Sequence, residues 1–162
     1  MTQTDPRPSW DEWALGIAAA VAARADCTRS QVGAVILDRD HRIIATGYNG
    51  TPRPGEPGCL TAGACPRGRR GYDEQPPGGD YSDCHASHAE ANAILHVLDS
   101  GRAHLLPTAT IYTTRTPCPG CQALIRAHGL TTLTPPADCT VCGFPAGQHP
   151  IAGDPHPPQE PR

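Results

Sequence analysis

His88-Ala89-Glu90 and Pro117-Cys118-Pro119-Gly120-Cys121 each gather chemistry-bearing side chains into a few residues. Cys118 and Cys121 are three apart, so on the first turn of a helix they face the same way and can hold one metal ion together. The free N–H groups and the dipole at a helix start favour thiolate, which lowers the pKa of a thiol placed there. His88, from another helix, supplies a third ligand. Three protein ligands leave the fourth position of a tetrahedral zinc ion to water, which is the pattern of a catalytic site rather than a closed structural one. Zinc brings the pKa of such a water down to about 7. Glu90 lies two residues beyond His88, roughly 200° around a helix, so it does not stack beside His88 as a fourth ligand. It can reach the metal-held water from the side and carry protons. A purely structural zinc module has no use for that carboxylate, so Glu90 separates an enzyme from a binding module.

Convergence of these side chains requires both segments to open helices. Pro117 is a good first residue for one, through Leu124 and Ile125 to a stop at Gly129, and His88 to Ser100 reads as the other, with Ile94, Val97 and Leu98 on its apolar side and Gly101 behind it. An earlier helix spans Trp10 to Ala25. Ser9 and Glu12 fit a capping box, and Trp13, Ile17, Ala20, Val21 and Arg24 form a stripe expected to pack on the core. Val32 to Leu37 and Arg42 to Thr46 read as strands of a hairpin turning at Asp38 to His41, with a loop at Gly47-Tyr48-Asn49-Gly50. Ala109 to Thr114 and Leu130 to Thr134 complete the strands. Such an order predicts an α/β sandwich, helices packed on a mixed sheet.

The chain's 162 residues suit one domain, expected over 1–134 with a Cys-, Arg-, Gly- and Pro-rich insert at 50–84. The segment 135–162 holds eight of the 19 prolines and reads as a surface tail. Net charge is −3 and aromatics are 4%, which argues against a nucleic-acid-coating protein with a basic stripe and stacking platform. No apolar run approaches a membrane span, and MTQTDPRPSW lacks the apolar stretch of a signal peptide, so a cytoplasmic location is expected. In a reducing compartment the eight cysteines are thiols or metal ligands.

His-x-Glu with Pro-Cys-x-x-Cys is the signature of zinc-dependent deaminases. Further text extends the match: Cys27-x4-Val32-Gly33-Ala34-Val35-Ile36, Gly47-Tyr48-Asn49-Gly50-Thr51-Pro52, His88-Ala89-Glu90-Ala91-Asn92-Ala93-Ile94 and Ile111-Tyr112-Thr113-Thr114. Over residues 10 to 134 the chain resembles the deoxycytidylate (dCMP) deaminases of the cytidine deaminase superfamily. The resemblance implies a three-layer α/β/α sandwich and hydrolysis of dCMP to dUMP and ammonia by a zinc-activated water, with Glu90 as proton shuttle. The rival within the same zinc core is a deaminase of another small pyrimidine, nucleoside or specialised metabolite. The resemblance further places Asn49 against the sugar hydroxyl, the strand from Val32 to Ala34 beside the base, the backbone of Ala89 near the base carbonyl, and Thr51 among the substrate contacts. A turn residue in a left-handed conformation is the plain alternative for Asn49. Family members are often hexamers controlled by dCTP and dTTP, so a homo-oligomer, hexamer or dimer, is implied.

The insert is too long and too polar to order itself by burial. Once both C-x-x-C pairs are set aside, Cys27, Cys59, Cys65 and Cys84 remain, and the last three lie in or at the end of the insert. Some dCMP deaminases place a structural-zinc ligand where Cys27 stands, so a second, four-thiolate zinc is expected, with His85 as substitute ligand. Arg67, Arg69 and Arg70 are either a phosphate grip or a solvated loop, and the latter is favoured. Cys139 and Cys142, followed by His149 and His156, have ligand-like spacing in the tail.

Overall fold

A computed structural model describes residues 6–51, 58–62, 70, 74, 84 and 86–135. Helix α1 (Trp10–Ala22) starts on the expected capping box: the Glu12 N–H donates to Ser9 Oγ at 3.2 Å, and the Ser9 N–H donates to Glu12 Oε2 at 2.7 Å. The helix stops at Ala22 rather than Ala25. Its buried face is Ala14, Leu15, Ala18 and Ala22, which corrects the expected stripe. Trp13 is 36% exposed, Ala20 and Arg24 face solvent, and Ile17 packs only at the margin.

The cause lies in strand β1 (Gly33–Leu37). A Cβ on Gly33 would stand 2.0 Å from the Ala18 carbonyl oxygen, so at this crossing helix and strand leave room for no side chain on Gly33, under Ala18 and Ala22. β1 runs antiparallel to β2 (Ile43–Tyr48) on one side and to β3 (Thr110–Thr113) on the other. β3 pairs in parallel with β4 (Thr131–Leu133), which completes a mixed sheet of order β2-β1-β3-β4.

Every residue of β1 is buried, because both faces of the sheet are covered. Val35, Leu37 and Tyr112 meet Ala14, Leu15 and Ala18 of α1, and the Tyr112 hydroxyl donates to Asp11 at 2.8 Å. Ala34, Ile36 and Ile111 meet Ala93, Ile94 and Val97 of α3 (Ala89–Asp99) and Ile125 of α4 (Pro119–Ala127). The result is the three-layer α/β/α sandwich.

β2 continues through Gly47 and Tyr48, where a loop was expected: Gly47 pairs with Ala34 and Tyr48 with Gly33. Gly47 does not break the strand. It lets α3 lie against it, since a Cβ there would fall 2.3 Å from the Ala89 carbonyl oxygen and 2.4 Å from the Ala93 nitrogen. On α3, Ile94 and Val97 are buried but Leu98 is 37% exposed, because Ala93, Ile94 and Val97 already fill the row facing the sheet. α4 begins at Pro119 rather than Pro117, with Cys118 as its N-cap, and ends at Ala127, just ahead of Gly129 with φ of +72°.

Two elements carry no clear sequence signal, a short helix α2 (Cys59–Ala62) inside the insert and a 3-10 turn (Ala103–Thr108). Asp26 fastens α2 to the body, its Oδ1 accepting the Leu60 N–H at 2.6 Å. The hairpin turns where expected, with Asp38 Oδ1 accepting the N–H groups of Asp40 and Arg42 and His41 at φ of +60°.

Candidate active site

α3 and α4 bring their starts together. His88 is the extended N-cap of α3, makes no side-chain cap bond, and turns its imidazole towards α4. Its Nδ1 lies 3.4 Å from Cys118 Sγ and 3.3 Å from Cys121 Sγ. Cys118 caps α4, its sulfur accepting the Cys121 N–H at 3.5 Å. The three donor atoms lie within 4.8 Å of one another, the one such group among the described residues. Zn–S near 2.3 Å and Zn–N near 2.0 Å at a tetrahedral angle put nitrogen and sulfur roughly 3.5 Å apart, so the donor set fits zinc in chemistry and spacing.

Glu90 is only 4% exposed, and its Oε2 lies 3.4 Å from Cys121 Sγ. Burial, then the charge of Glu90, then Cys118 push the Cys121 thiol well above its ordinary value. That is the reverse of the lowering expected at a helix start. In a desolvated pocket shared with another thiol and a carboxylate, desolvation and like charge outweigh the helix dipole. A divalent cation is what such a crowded set of donors needs.

Asn49 is 7% exposed and does not adopt a left-handed conformation. Its Oδ1 accepts the Val32 N–H at 2.7 Å and its Nδ2 donates to the Ser30 carbonyl at 2.8 Å, so the carboxamide pins the segment leading into β1. Ala89 lies buried under Gly47 beside His88, Thr51 is half-buried, and Ala34 sits wholly within the core. Sequence reasoning did not single out Ser30, Thr114 or Arg115. Thr114 Oγ1 accepts the Gly33 N–H at 3.1 Å, and Arg115 Nη1 donates to Ser30 Oγ at 2.6 Å. Their available signal was position, at the end of a strand just ahead of Pro117-Cys118.

Of the other cysteines, Cys59 is buried with Ala86 in a small cluster against which Cys84 packs, and Cys27 Sγ accepts the Arg29 N–H at 3.4 Å. Cys65, His85, Arg67, Arg69, Cys139, Cys142, His149 and His156 lie outside the described residues. The Arg70 side chain is exposed, and its carbonyl accepts from Arg29 at 2.9 Å.

Residues 8–134 match the family described as the cytidine and deoxycytidylate deaminase zinc-binding region. The chain belongs to this family. Among its relatives, the deoxycytidylate deaminase of Mycobacterium phage D29 is 47% identical over 136 residues, covering 82% of this chain and 98% of that one. The Saccharomyces cerevisiae deoxycytidylate deaminase is 38% identical over 127 residues, 78% of this chain but only 37% of the longer yeast protein. The crystal structure of the cyanophage S-TIM5 dCMP deaminase in complex with dCMP and dUMP has the same fold. It superposes with a TM-score of 0.56 at 21% identity, over 91% of this chain and 96% of that one. The deaminase is thus a zinc-dependent enzyme whose family fold is the sandwich described above. No described helix is long and apolar enough to cross a membrane.

Proposed function

We propose that this deaminase hydrolyses dCMP to dUMP and ammonia. One observation carries the reading: the His88, Cys118 and Cys121 donor atoms converge within 4.8 Å with the Glu90 carboxylate buried against them. It is supported by the name of the phage D29 relative, which this chain matches over nearly that protein's whole length. His88, Cys118 and Cys121 would hold one zinc. When bound, zinc supplies a Lewis acid and a water whose pKa is near 7.

Glu90 is buried with its Oε2 against Cys121 Sγ, so its carboxylate faces the ligand set rather than bulk water. It takes the proton of the attacking water, passes it to ring N3, and moves a second proton to the departing amine. Water thus adds to C4, the C4–N bond breaks, and ammonia leaves. Val32, Asn49 and Thr51 belong to the substrate-facing wall in this reading, while Ala34 and Ala89, wholly buried, back it from the core. Asn49 holds the Val32 backbone in place for it. The test is ammonia release by the zinc-loaded protein across dCMP, CMP, deoxycytidine, dCTP, guanine and single-stranded DNA. The expected result is the highest kcat/KM for dCMP, and a preference for any other substrate overturns the reading.

The same proposal includes a structural zinc on Cys27, Cys59, Cys65 and Cys84, with His85 as substitute. Cys59 and Cys84 share one small cluster and Asp26, next to Cys27, bonds the Leu60 N–H next to Cys59, but the Cys27, Cys59 and Cys84 sulfurs do not gather within 4.8 Å as the catalytic donors do, so binding here would have to draw them together. Metal analysis should find two zinc per chain, falling to one in Cys59→Ser with the catalytic ion retained. One zinc in fully active wild-type protein refutes it. A homo-oligomer, read by light scattering, completes the proposal.

A further inference from the structure

The end of β3 presents a half-buried cation, Arg115, three residues ahead of Cys118. Its backbone has no freedom. The Thr114 N–H donates to the Gly33 carbonyl at 3.0 Å, Thr114 Oγ1 accepts the Gly33 N–H, and Thr113 Oγ1 donates to the Arg115 carbonyl. Its guanidinium is steered as well, since Nη1 donates to Ser30 Oγ at 2.6 Å and the Ser30 carbonyl accepts from Asn49. That hydroxyl partner is neutral, and among the described residues no carboxylate pairs with Arg115.

Other arginines among the described residues are placed differently. Arg39 and Arg42 lie near Asp40 at the hairpin turn, far along the sheet from the helix starts. Arg102 is taken up by the Ile44 carbonyl and Ser100. Arg29 donates to the Arg70 carbonyl, and Arg24 and Arg126 stand exposed in solvent.

An oriented, partly desolvated guanidinium without a counter-charge is unfavourable until an anion reaches it, and its planar donors match the oxygens of a phosphate. Three residues of chain keep it within about 11 Å of Cys118, the scale of a nucleotide from ring to phosphate. Through Ser30 and Asn49 it is tied to Val32, in the wall already assigned to the substrate.

We infer that Arg115 anchors the 5′-phosphate of the nucleotide substrate, with Ser30 holding the guanidinium in place; this rests on the dCMP reading. The test measures kcat and KM of the zinc-loaded protein for dCMP and for deoxycytidine in wild type, Arg115→Gln and Arg115→Lys, together with competition by dUMP and by deoxyuridine. In Arg115→Gln the dCMP-over-deoxycytidine ratio of kcat/KM should fall roughly tenfold or more, mainly through KM, and dUMP should lose its advantage over deoxyuridine as competitor. Arg115→Lys should restore part of both, since it keeps the charge but not the fork. A merely structural role would lower both substrates together and leave the ratio unchanged. An unchanged ratio in a folded Arg115→Gln protein, or in Ser30→Ala should that variant not fold, overturns the assignment of Arg115. A wild-type enzyme with no preference for dCMP over deoxycytidine instead overturns the nucleotide reading on which the assignment rests.

Discussion

α1 begins in a way that α3 and α4 do not. At α1, Ser9 and Glu12 satisfy each other's backbone N–H groups in a reciprocal box, and neither side chain is left over for chemistry. At α3 the N-cap His88 makes no side-chain cap bond, and at α4 the cap is a sulfur accepting at 3.5 Å. The His88 and Cys118 side chains at these two starts are turned towards each other, Cys118 while still capping α4. A reciprocal cap is built in at α1, a single weaker sulfur cap at α4 and no side-chain cap at α3, which leans most on packing. The Gly47 contact under α3 is the clearest instance.

The largest effects should come from the two starts that carry donors. Glu90→Gln keeps His88, Cys118 and Cys121 and the buried volume, so zinc content and thermal stability should stay near wild type. Turnover should fall by about 10²–10⁴-fold or more, as the proton carrier is gone. Cys118→Ala should lose both the metal and the activity, since two ligands rarely hold zinc. Near-normal turnover in Glu90→Gln would remove the mechanism, and zinc retained at full stoichiometry in Cys118→Ala would break the ligand set.

A middle effect tests whether packing replaces capping at α3. Gly47→Ala puts a methyl group 2.3 Å from the backbone oxygen of Ala89, and neither strand nor helix can yield cheaply. Overpacking of this kind costs about 1–3 kcal/mol or more, and the helix displaced is the one that carries His88 and Glu90. Turnover per zinc-loaded molecule should drop along with the melting temperature. Ala18→Val displaces α1, which carries no ligand, and should lower the melting temperature by a similar amount with less change in turnover. Equal losses of turnover in the two variants would show that the packing under α3 has no special link to the site.

The donors were legible in the sequence because their signals are local: His88, Glu90, Cys118 and Cys121 each lie within three residues of a helix start. The capping box at Ser9 was legible for the same reason. The buried face of α1 was not, because it is set by how closely Gly33 lets the helix approach, and an apolar stripe says nothing of that distance. The run of β2 through Gly47 depended likewise on a helix more than 40 residues later. Arg115 and Ser30 are 85 residues apart, and no spacing rule joins them. The depressed pKa expected for a helix-start thiol failed at Cys121 because burial and Glu90 enter only when the chain has folded.

The smallest effect belongs to the capping box, and it closes the comparison by showing what an ordinary start contributes. Ser9→Ala removes a cap oxygen at an exposed site and should cost about 1 kcal/mol, a fall of roughly 4 °C in melting temperature, without touching turnover. Glu12 adds a pH signature. The Ser9 backbone N–H, and next its hydroxyl, hold the Glu12 carboxyl below its ordinary value. A group whose folded pKa is lowered contributes stability that is full above the unfolded value, about 4.3 for glutamate, and is lost as pH falls through the folded one. Glu12→Gln should therefore melt below wild type at pH 7, with the gap closing as the solution is taken below about pH 4. Melting curves of the two proteins across that range decide it. A gap that persists unchanged in acid would mean that the charge at Glu12 contributes nothing, and that the start of α1 is held by the neutral Ser9 cap and packing.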